Sequence, residues 1–440
     1  MDEKWQRARI IPVVGTGAGN EREQRATSAL LAVLSIVRPL SIELLSPLGA
    51  SKALAAHVDT FVEPPFKGVD GKQSRPDGLI RVAYGSQAPW TALVEVKTGS
   101  NDLSADQVNA YIEIARDKGY QCVITISNEI APSEGQHPTQ GLKVRKGSKV
   151  AVYHFSWTRI ANIASRIKAR SAASDPEQAW LLDELLRYLE HQSSGALEFD
   201  DMGPHWVDAR ESARNGVLKK SDLGAVDVAQ RWDKLLTYAA LKLGMHVNED
   251  VQERLSRAEQ DDANVRSKRF VSELCDHGTL SGALMVPKTI GDVSVTVDMR
   301  ARLVSVCTTF RAPDDKMARG SISWLLRQLT NAPPNAEIAA FARNGRTPVV
   351  ATLSALREDT SVMVTALPGD VSKFTVTIRS ELGVGRRSGR TAGFIDSVMS
   401  AIYNYYELVH QELVPYQSRA PQVQTQKADA TNVELGSVSE

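Results

Sequence analysis

The stretch TALVEVK, residues 91–97, carries the strongest structural signal in the sequence. Its apolar and β-branched residues predict a strand that is buried on both faces, as in the centre of a sheet covered by helices. Glu95 and Lys97 are two residues apart, so on a strand their side chains point to the same face. Burying a carboxylate and an ammonium is costly unless they are paired or bind a metal ion. This strand therefore combines a core position with a charge pair that needs a chemical explanation.

Strands and helices alternate on both sides of this strand. Further strands are predicted, from apolar and β-branched runs, at 59–62, 78–83, 120–126 and 149–155. Helices are predicted, from apolar residues at helical spacing, at 21–37, 104–118 and 156–169. The alternation predicts a single α/β domain over residues 1–170, with helices flanking a central sheet.

The remainder of the chain has a different pattern. Residues 171–280 form a mainly helical, acidic region, and residues 281–416 are expected to form an α+β domain of unassigned type. Within the latter, strands are predicted at 283–310, where apolar and polar residues alternate, and at 337–343, 347–356, 361–366 and 374–378. The Gln-, Ser- and Thr-rich tail 417–440 is expected to be disordered.

The overall composition excludes several protein classes. The chain has 440 residues, a formal net charge of zero, 42% hydrophobic and 24% charged residues, as in an ordinary globular protein. Three scattered cysteines argue against a disulfide framework or a zinc cluster. No apolar run reaches membrane-spanning length and no signal peptide is recognisable, so a cytoplasmic protein without a membrane segment is expected. The charge is uneven, because 22 basic and 16 acidic residues give residues 1–170 a net +6, whereas residues 171–275 carry a net −7.

A second acidic residue is expected close to Glu95. Asp77 follows Pro76 and precedes the strand 78–83, one hairpin away from strand 91–97. Two carboxylates and a main-chain carbonyl, here that of Val96, suit a hard Mg²⁺ ion, which prefers oxygen ligands. Lys97 beside such an ion is placed to orient or deprotonate a water molecule and to offset developing negative charge.

This pattern, Pro76-Asp77 followed by Glu95-Val96-Lys97, resembles the signature of the PD-(D/E)XK nuclease superfamily. The resemblance covers about residues 5–165. It implies a restriction-endonuclease-like fold, with a mixed central sheet flanked by helices, and phosphodiester hydrolysis that depends on Mg²⁺ or Mn²⁺. By this likeness Asp77, Glu95 and the carbonyl of Val96 would bind the metal, and Lys97 would serve the attacking water.

Two further features strengthen the resemblance. Gln107 and Tyr111 are similar to the Q-x-x-x-Y element of the RecB and lambda-exonuclease branch, and their spacing places them on one helix face. Glu23, on the first helix, matches the place where many members carry an additional acidic residue. Tyr111 is equally compatible with a core position and Glu23 with a first-turn acid favoured by the helix dipole. Glu21 competes with Glu23 for any role at a site.

The other candidate residues also have ordinary structural explanations. Asp77 after a proline suits a simple turn. Glu95 and Lys97 suit a structural ion pair on an edge strand. Ser104 and Gln107 form a capping-box pattern, so Gln107 is compatible with helix capping alone.

Two loops of opposite charge are less informative. The acidic segment 198–201, with His205, is compatible with cation binding or with a solvated loop. The basic segment 385–390 is compatible with phosphate contacts or with a solvated turn.

The sequence thus predicts a Mg²⁺-dependent nuclease that acts on DNA, with RNA not excluded, in DNA processing or in defence against foreign DNA. The alternative is a catalytically inactive protein of nuclease fold that binds nucleic acid or regulates a partner. Regions 171–280 and 281–416 are candidate surfaces for a protein partner, and a homo-oligomer is a further option.

Overall fold

The computed structural model describes residues 5–10, 21–67, 73–99, 101–131, 137–139, 141–142, 147–172, 174–196, 199–343, 345–389 and 393–417. The expectation of a disordered tail over 417–440 concerns residues that, apart from Gln417, lie outside this set.

The N-terminal part consists of one sheet with helices on both sides. Its helices are α1 (Glu21–Ile36), α2 (Arg38–Leu45), α3 (Ala105–Lys118), α4 (Trp157–Ser171) and α5 (Pro176–Glu190). Its strands are β1 (His57–Val62), β2 (Phe66–Lys67), β3 (Gln73–Ser74), β4 (Gly78–Ala83), β5 (Trp90–Val96), β6 (Cys122–Ser127) and β7 (Ala151–Ser156). The strands and helices predicted for this part are confirmed to within a few residues.

Local sequence explains where these helices begin and end. The Ser104 hydroxyl accepts a hydrogen bond from the main chain of α3, and Gly119 ends that helix with a left-handed φ of 69°. The hydroxyl of Ser156 caps α4 in the same way. The N-terminus of α2 carries Pro39, whose missing N–H has no partner to lose in a first helical turn.

The strand order of the main sheet is β1-β4-β5-β6-β7. β4 pairs antiparallel with β1 and β5, whereas β6 pairs parallel with β5 and β7. The sheet is therefore mixed and flanked by helices, as the sequence predicted. β5 lies at its centre, so the alternative of Glu95 and Lys97 on an edge strand is wrong.

The two faces of this sheet are covered by different helices. Val94 and Val96 of β5 pack into the core formed with α1, α2, α4 and α5. Leu93 points to the opposite face, where it packs with Val108 and Ile112 of α3. Glu95 lies on the α3 face, because it is two residues from Leu93.

The C-terminal part is built around a second, fully antiparallel sheet. Its strands, in the spatial order β13-β12-β14-β11-β10-β9-β8, are β8 (Gln252–Glu253), β9 (Thr279–Met285), β10 (Val293–Asp298), β11 (Leu303–Arg311), β12 (Glu337–Ala342), β13 (Val349–Thr352) and β14 (Val371–Glu381). Its helices are α6 (Trp206–Arg214), α7 (Leu223–Val247), α8 (Arg257–Asp261), α9 (Ala263–His277), α10 (Ala318–Gln328), α11 (Leu353–Glu358), α12 (Ser361–Val364) and α13 (Phe394–Leu408).

Two strand predictions for this part are corrected. The strand predicted at 347–356 is limited to β13, because helix α11 begins at Leu353 after the Thr352 hydroxyl caps it. The segment 361–366, also predicted as a strand, begins with helix α12. A main-chain hydrogen bond from Ser361 to the Asp359 carboxylate, at 2.8 Å, starts this helical turn.

Helix α7 joins the two halves of the molecule. One core runs from Ala26 to Ala196, and the other runs from Met202 to Leu413, with α6, α7 and α9 packed against the second sheet. The buried amide of Asn162 on α4 donates a hydrogen bond of 2.9 Å to the carbonyl oxygen of Leu241 on α7. The two halves are therefore packed directly against each other.

No single helix in the described ranges is long and apolar enough to cross a membrane. Helices α1 and α2, with the 3₁₀ turn that follows them, satisfy that test only together, across a bend of 106°, and both contribute buried residues to the first core.

Candidate active site

The charged end of β5 is the centre of the candidate site. The Glu95 side chain is 1% exposed, and its Oε1 accepts a hydrogen bond of 2.7 Å from the ammonium of Lys97, which is 15% exposed. The same ammonium donates to the carbonyl oxygen of Val96 at 3.3 Å. Lys97 therefore contacts Glu95 and the Val96 carbonyl, two of the three groups that were predicted to bind a metal ion.

Asp77 reaches this site from the start of the neighbouring strand β4. Its Oδ2 accepts a hydrogen bond of 2.7 Å from the backbone N–H of Val96. It is close enough to Glu95 for the charge of Glu95 to raise the pKa of Asp77. Asp77 is therefore not simply a turn residue, because its side chain is directed across β5 toward Glu95.

Burial holds both carboxyl groups in an unfavourable state, and the charge of Glu95 adds to this at Asp77. Burial, followed by the charge of Glu95, raises the pKa of Asp77 well above its usual range. Burial also raises the pKa of Glu95, although the charge and hydrogen bond of Lys97 oppose the rise. Burial alone would lower the pKa of Lys97, but its hydrogen bond to Glu95 and the nearby acids raise it. Lys97 is therefore an ammonium at neutral pH.

The structure separates the two acids at the start of α1. Glu23 is buried, and its Oε1 accepts a hydrogen bond of 2.7 Å from the amide of Asn101, while its Oε2 lies 3.5 Å from the ammonium of Lys97. Glu21 instead pairs with Arg25 at 3.3 Å on the exposed side of the helix. Glu23 is therefore the acid that joins the candidate site.

Gln107 and Tyr111 lie on the face of α3 that covers the sheet. The side-chain amide of Gln107 donates to the Tyr111 hydroxyl at 3.0 Å, and that hydroxyl donates to the carbonyl oxygen of Arg75 at 3.2 Å. Tyr111 is 3% exposed, and burial together with the charge of Glu95 raises its pKa. The backbone N–H of Gln107 is capped by Ser104, at 3.5 Å, but its side chain is turned toward Tyr111. Tyr111 is therefore a core residue that also lies close to Glu95.

Two neighbours of the site were not predicted from the sequence. The indole N–H of Trp157, the first residue of α4, donates to the carbonyl oxygen of Lys97 at 2.9 Å. Asn101 fixes Glu23, as described above. Asn101 follows β5 within a few residues, in a segment of typical turn residues, so a local signal for it exists. The approach of Trp157 instead depends on the packing of a helix 60 residues further along the chain.

A buried polar row extends from Glu95 across the sheet. Thr125 of β6 is in register with Glu95, and His154 of β7 is in register with Thr125. The Thr125 hydroxyl lies 3.0 Å from Nδ1 of His154 and 2.7 Å from Nε2 of His137. Nδ1 of His137 accepts from the N–H of Thr139, and Nε2 of His154 faces the carbonyl oxygen of Glu129.

These contacts fix the hydrogen positions of both rings. A ring nitrogen that accepts a hydrogen bond carries no proton, so neutral His137 donates from Nε2 to Thr125. Thr125 then donates to Nδ1 of His154, whose Nε2 donates to the main chain. Burial lowers the pKa of each histidine to about 4, so both are neutral at pH 7. The row is a satisfied structural network beside the acids.

The chemistry of the donors fits a hard divalent cation. Glu95 Oε2 is buried and has no hydrogen-bond partner among the described residues. Asp77 beside it has a raised pKa, and the main-chain oxygen of Val96 accepts from the same Lys97 ammonium that binds Glu95. Within the same residues no cluster of three or more histidine, cysteine or acidic side chains could hold a metal ion. A cation here would thus rely on two carboxylates, one carbonyl and water molecules, the environment that Mg²⁺ accepts.

The two loops of opposite charge meet each other and lie apart from these residues in sequence. The Asp201 carboxylate pairs with Arg386 at 3.0 Å and with Arg387 at 3.3 Å. Their charges are therefore largely offset within the protein. Glu198 and Arg390, at the outer ends of the two loops, lie outside the described residues.

Comparison with known proteins gives no relative: no family model, no curated protein and no solved structure matches the chain. Any function must therefore be argued from the geometry of the residues around Glu95.

Proposed function

We propose that the protein is a metal-dependent nuclease that hydrolyses phosphodiester bonds of DNA, with a catalytic domain that resembles the PD-(D/E)XK superfamily and its restriction-endonuclease-like fold. The observation that carries this proposal is the convergence of Asp77 and Glu95 at the end of one central strand, where one buried Glu95 oxygen has no hydrogen-bond partner among the described residues. Two buried acids that repel each other are an expensive arrangement unless a cation is bound. Mixed sheet order and helices on both faces support the likeness in fold.

Asp77, Glu95 and the carbonyl of Val96 are the groups that would hold the cation. When bound, Mg²⁺ would supply Lewis-acid stabilisation of the phosphate and an activated water molecule. Lys97 is an ammonium and therefore acts as a hydrogen-bond donor and as a positive charge rather than as a base. Such a fixed charge stabilises negative charge that develops on the phosphate oxygens.

The remaining residues position this group. Glu23 and Glu95 hold the Lys97 ammonium from two sides, at 3.5 and 2.7 Å. Gln107 and Tyr111 link α3 to the main chain of Arg75, two residues before Asp77. Loss of these contacts would displace the acids without removing them, and misplacement of catalytic groups by an ångström is enough to slow a reaction strongly.

A nucleic-acid substrate is supported by charge, which DNA and RNA share, rather than by a visible binding groove. Residues 1–170 carry a net charge of +6, which is suited to a polyanionic substrate. The acidic stretch 171–275 offsets it in the whole chain, so affinity would depend strongly on salt and on the local basic surface.

The test is a cleavage assay on the full chain. Wild type, Asp77→Asn and Lys97→Met are incubated with linear, circular and single-stranded DNA and with RNA, in Mg²⁺, Mn²⁺ or EDTA. We expect metal-dependent cleavage by wild type, loss of at least a hundredfold in both variants, and no change in Glu21→Gln, the exposed acid of the same helix turn. If wild type cleaves RNA but no form of DNA, RNA takes the place of DNA as the proposed substrate.

The alternative is a catalytically inactive protein of nuclease fold that binds nucleic acid or regulates a partner, and it predicts the opposite result. Wild type and Lys97→Met would then behave identically on every substrate with either metal. That result would end the catalytic proposal, because the proposed chemistry depends on the charge of Lys97 beside Glu95.

A further inference from the structure

A cavity of about 250 Å³ lies where helices α4, α5, α7 and α13 meet, and none of its lining residues belongs to the candidate active site. Both halves of the molecule contribute to its walls. Ser165 and Lys168 come from α4, Lys242 and Met245 from α7, and Tyr403 from α13. This volume lies just below the roughly 300–1,000 Å³ of typical ligand pockets, so the cavity has room only for a small molecule.

The cavity is lined by the cations Lys168, Arg187 and Lys242 and by the carboxylates Asp183 and Glu190, which leaves a net positive charge. The Asp183 carboxylate binds both Lys168 and Arg187, each at 2.9 Å, and is therefore already neutralised. The half-buried ammonium of Lys242 makes no hydrogen bond and no ion pair with any residue that the structure describes. Burial lowers the pKa of Lys242, while Glu190 opposes this only through its charge. The cavity thus contains a desolvated cation without a direct partner.

Other groups add a donor and an apolar wall. The Tyr403 side chain is half-buried, and its hydroxyl has no hydrogen bond among the described groups, so it can donate to a ligand. Its ring packs against that of His246 at 5.4 Å, and His246 is paired with Glu407 at 3.1 Å near the opening. Leu186 and Met245 provide the apolar side.

We propose that this cavity binds a small phosphate-bearing ligand, with Lys242 as the main cationic contact and Tyr403 as a second donor. A phosphate group presents several acceptor oxygens and up to two negative charges, which suits donors that approach from different helices. Inorganic phosphate and a phosphate monoester share this chemistry, and Leu186 and Met245 would contact the organic part of the latter. The inference is independent of the proposed nuclease activity.

The test is calorimetric titration of the full chain at constant ionic strength. The probes are inorganic phosphate, deoxyadenosine monophosphate and uncharged deoxyadenosine. We expect saturable binding of at least one phosphate probe and none of deoxyadenosine. Lys242→Gln should weaken the binding of the phosphate probe at least tenfold, and Tyr403→Phe should weaken it by a smaller factor. Lys234→Gln is the matched control, because Lys234 is also a half-buried lysine of α7 whose pKa burial lowers, but it lies outside the cavity lining.

The outcomes separate the possible ligands and the possible failures. Equal affinity for both phosphate probes supports the free ion, and tighter binding of the nucleotide supports a monoester. The proposal is overturned by the absence of saturable binding, by equally tight binding of deoxyadenosine, or by equal losses in Lys242→Gln and Lys234→Gln. If circular dichroism shows that Lys242→Gln does not fold, Tyr403→Phe decides the test: weaker phosphate binding than wild type supports the proposal, and unchanged binding overturns it.

Discussion

Replacing Lys97 by methionine tests the electrostatics of the candidate site without reference to any substrate. Methionine keeps the length of the apolar stem but removes the ammonium that donates to Glu95 at 2.7 Å. Glu95 is 1% exposed and its other oxygen has no donor among the described residues, so its charge would be left uncompensated. Breaking a buried ion pair costs about 3–5 kcal/mol, and we expect about 3 because Lys97 is 15% exposed.

The pH dependence of this loss has a definite sign. The pKa of Glu95 is already raised in the folded protein, and without Lys97 it should rise further. An acid with a raised folded pKa destabilises the protein above that pKa and ceases to do so when it is protonated. The free energy of unfolding that Lys97→Met loses should therefore be largest near pH 8 and should shrink as the pH falls through the raised pKa of Glu95.

Urea unfolding followed by circular dichroism measures these effects, and the double variant Lys97→Met, Glu95→Gln supplies the control. A neutral amide needs no cation, so the double variant should recover most of the stability lost in the single one. The reasoning is refuted if Lys97→Met loses less than about 0.5 kcal/mol, the size of an ordinary surface substitution. It is also refuted if the loss is the same at pH 8 and pH 5 and the double variant recovers nothing.

Three further predictions concern other parts of the molecule. Burial lowers the pKa values of His137 and His154 from 6.5 to about 4, so the free energy of unfolding should decrease as the pH falls from 6.5 to 4. Urea unfolding should show a smaller decrease in a variant with glutamine at both positions. Glu23→Gln should reduce cleavage at least tenfold, whereas Glu21→Gln should not; equal effects would contradict the assignment. Gly244→Ala places a Cβ 2.6 Å from the side-chain amide nitrogen of Asn162 on α4, so it should lower the free energy of unfolding by about 1–3 kcal/mol, as measured by thermal unfolding. An unchanged stability would contradict this close packing of α7 on α4.

The elements around the site could be predicted because their signals are local. Strand β4 was predicted with its observed bounds, since an apolar, β-branched run follows a proline and ends in a polar turn. Helix α12 was not predicted, because Val362 and Val364 favour a strand. There the Asp359 carboxylate, at 2.8 Å from the N–H of Ser361, and the burial of Met363 outweigh propensity.

The candidate site could be predicted only as far as residue type and spacing allow. Asp77 and Glu95 were placed together because one hairpin separates them. The choice between Glu21 and Glu23 was beyond the sequence, since both lie in one helical turn and only the packing of α1 decides which reaches Lys97. The pairing of Asp201 with Arg386 joins segments 185 residues apart, which no local pattern reveals.

Direct titration of the protein with Mn²⁺ tests most sharply whether the paired acids form a metal site. We predict saturable binding by wild type that is lost in Asp77→Asn and in Glu95→Gln and is retained in Glu21→Gln. Because the bound cation would stabilise the folded state, the same titration should raise the melting temperature of wild type. Absence of Mn²⁺ binding by folded wild type, or binding that Asp77→Asn and Glu95→Gln leave unchanged, would contradict the account.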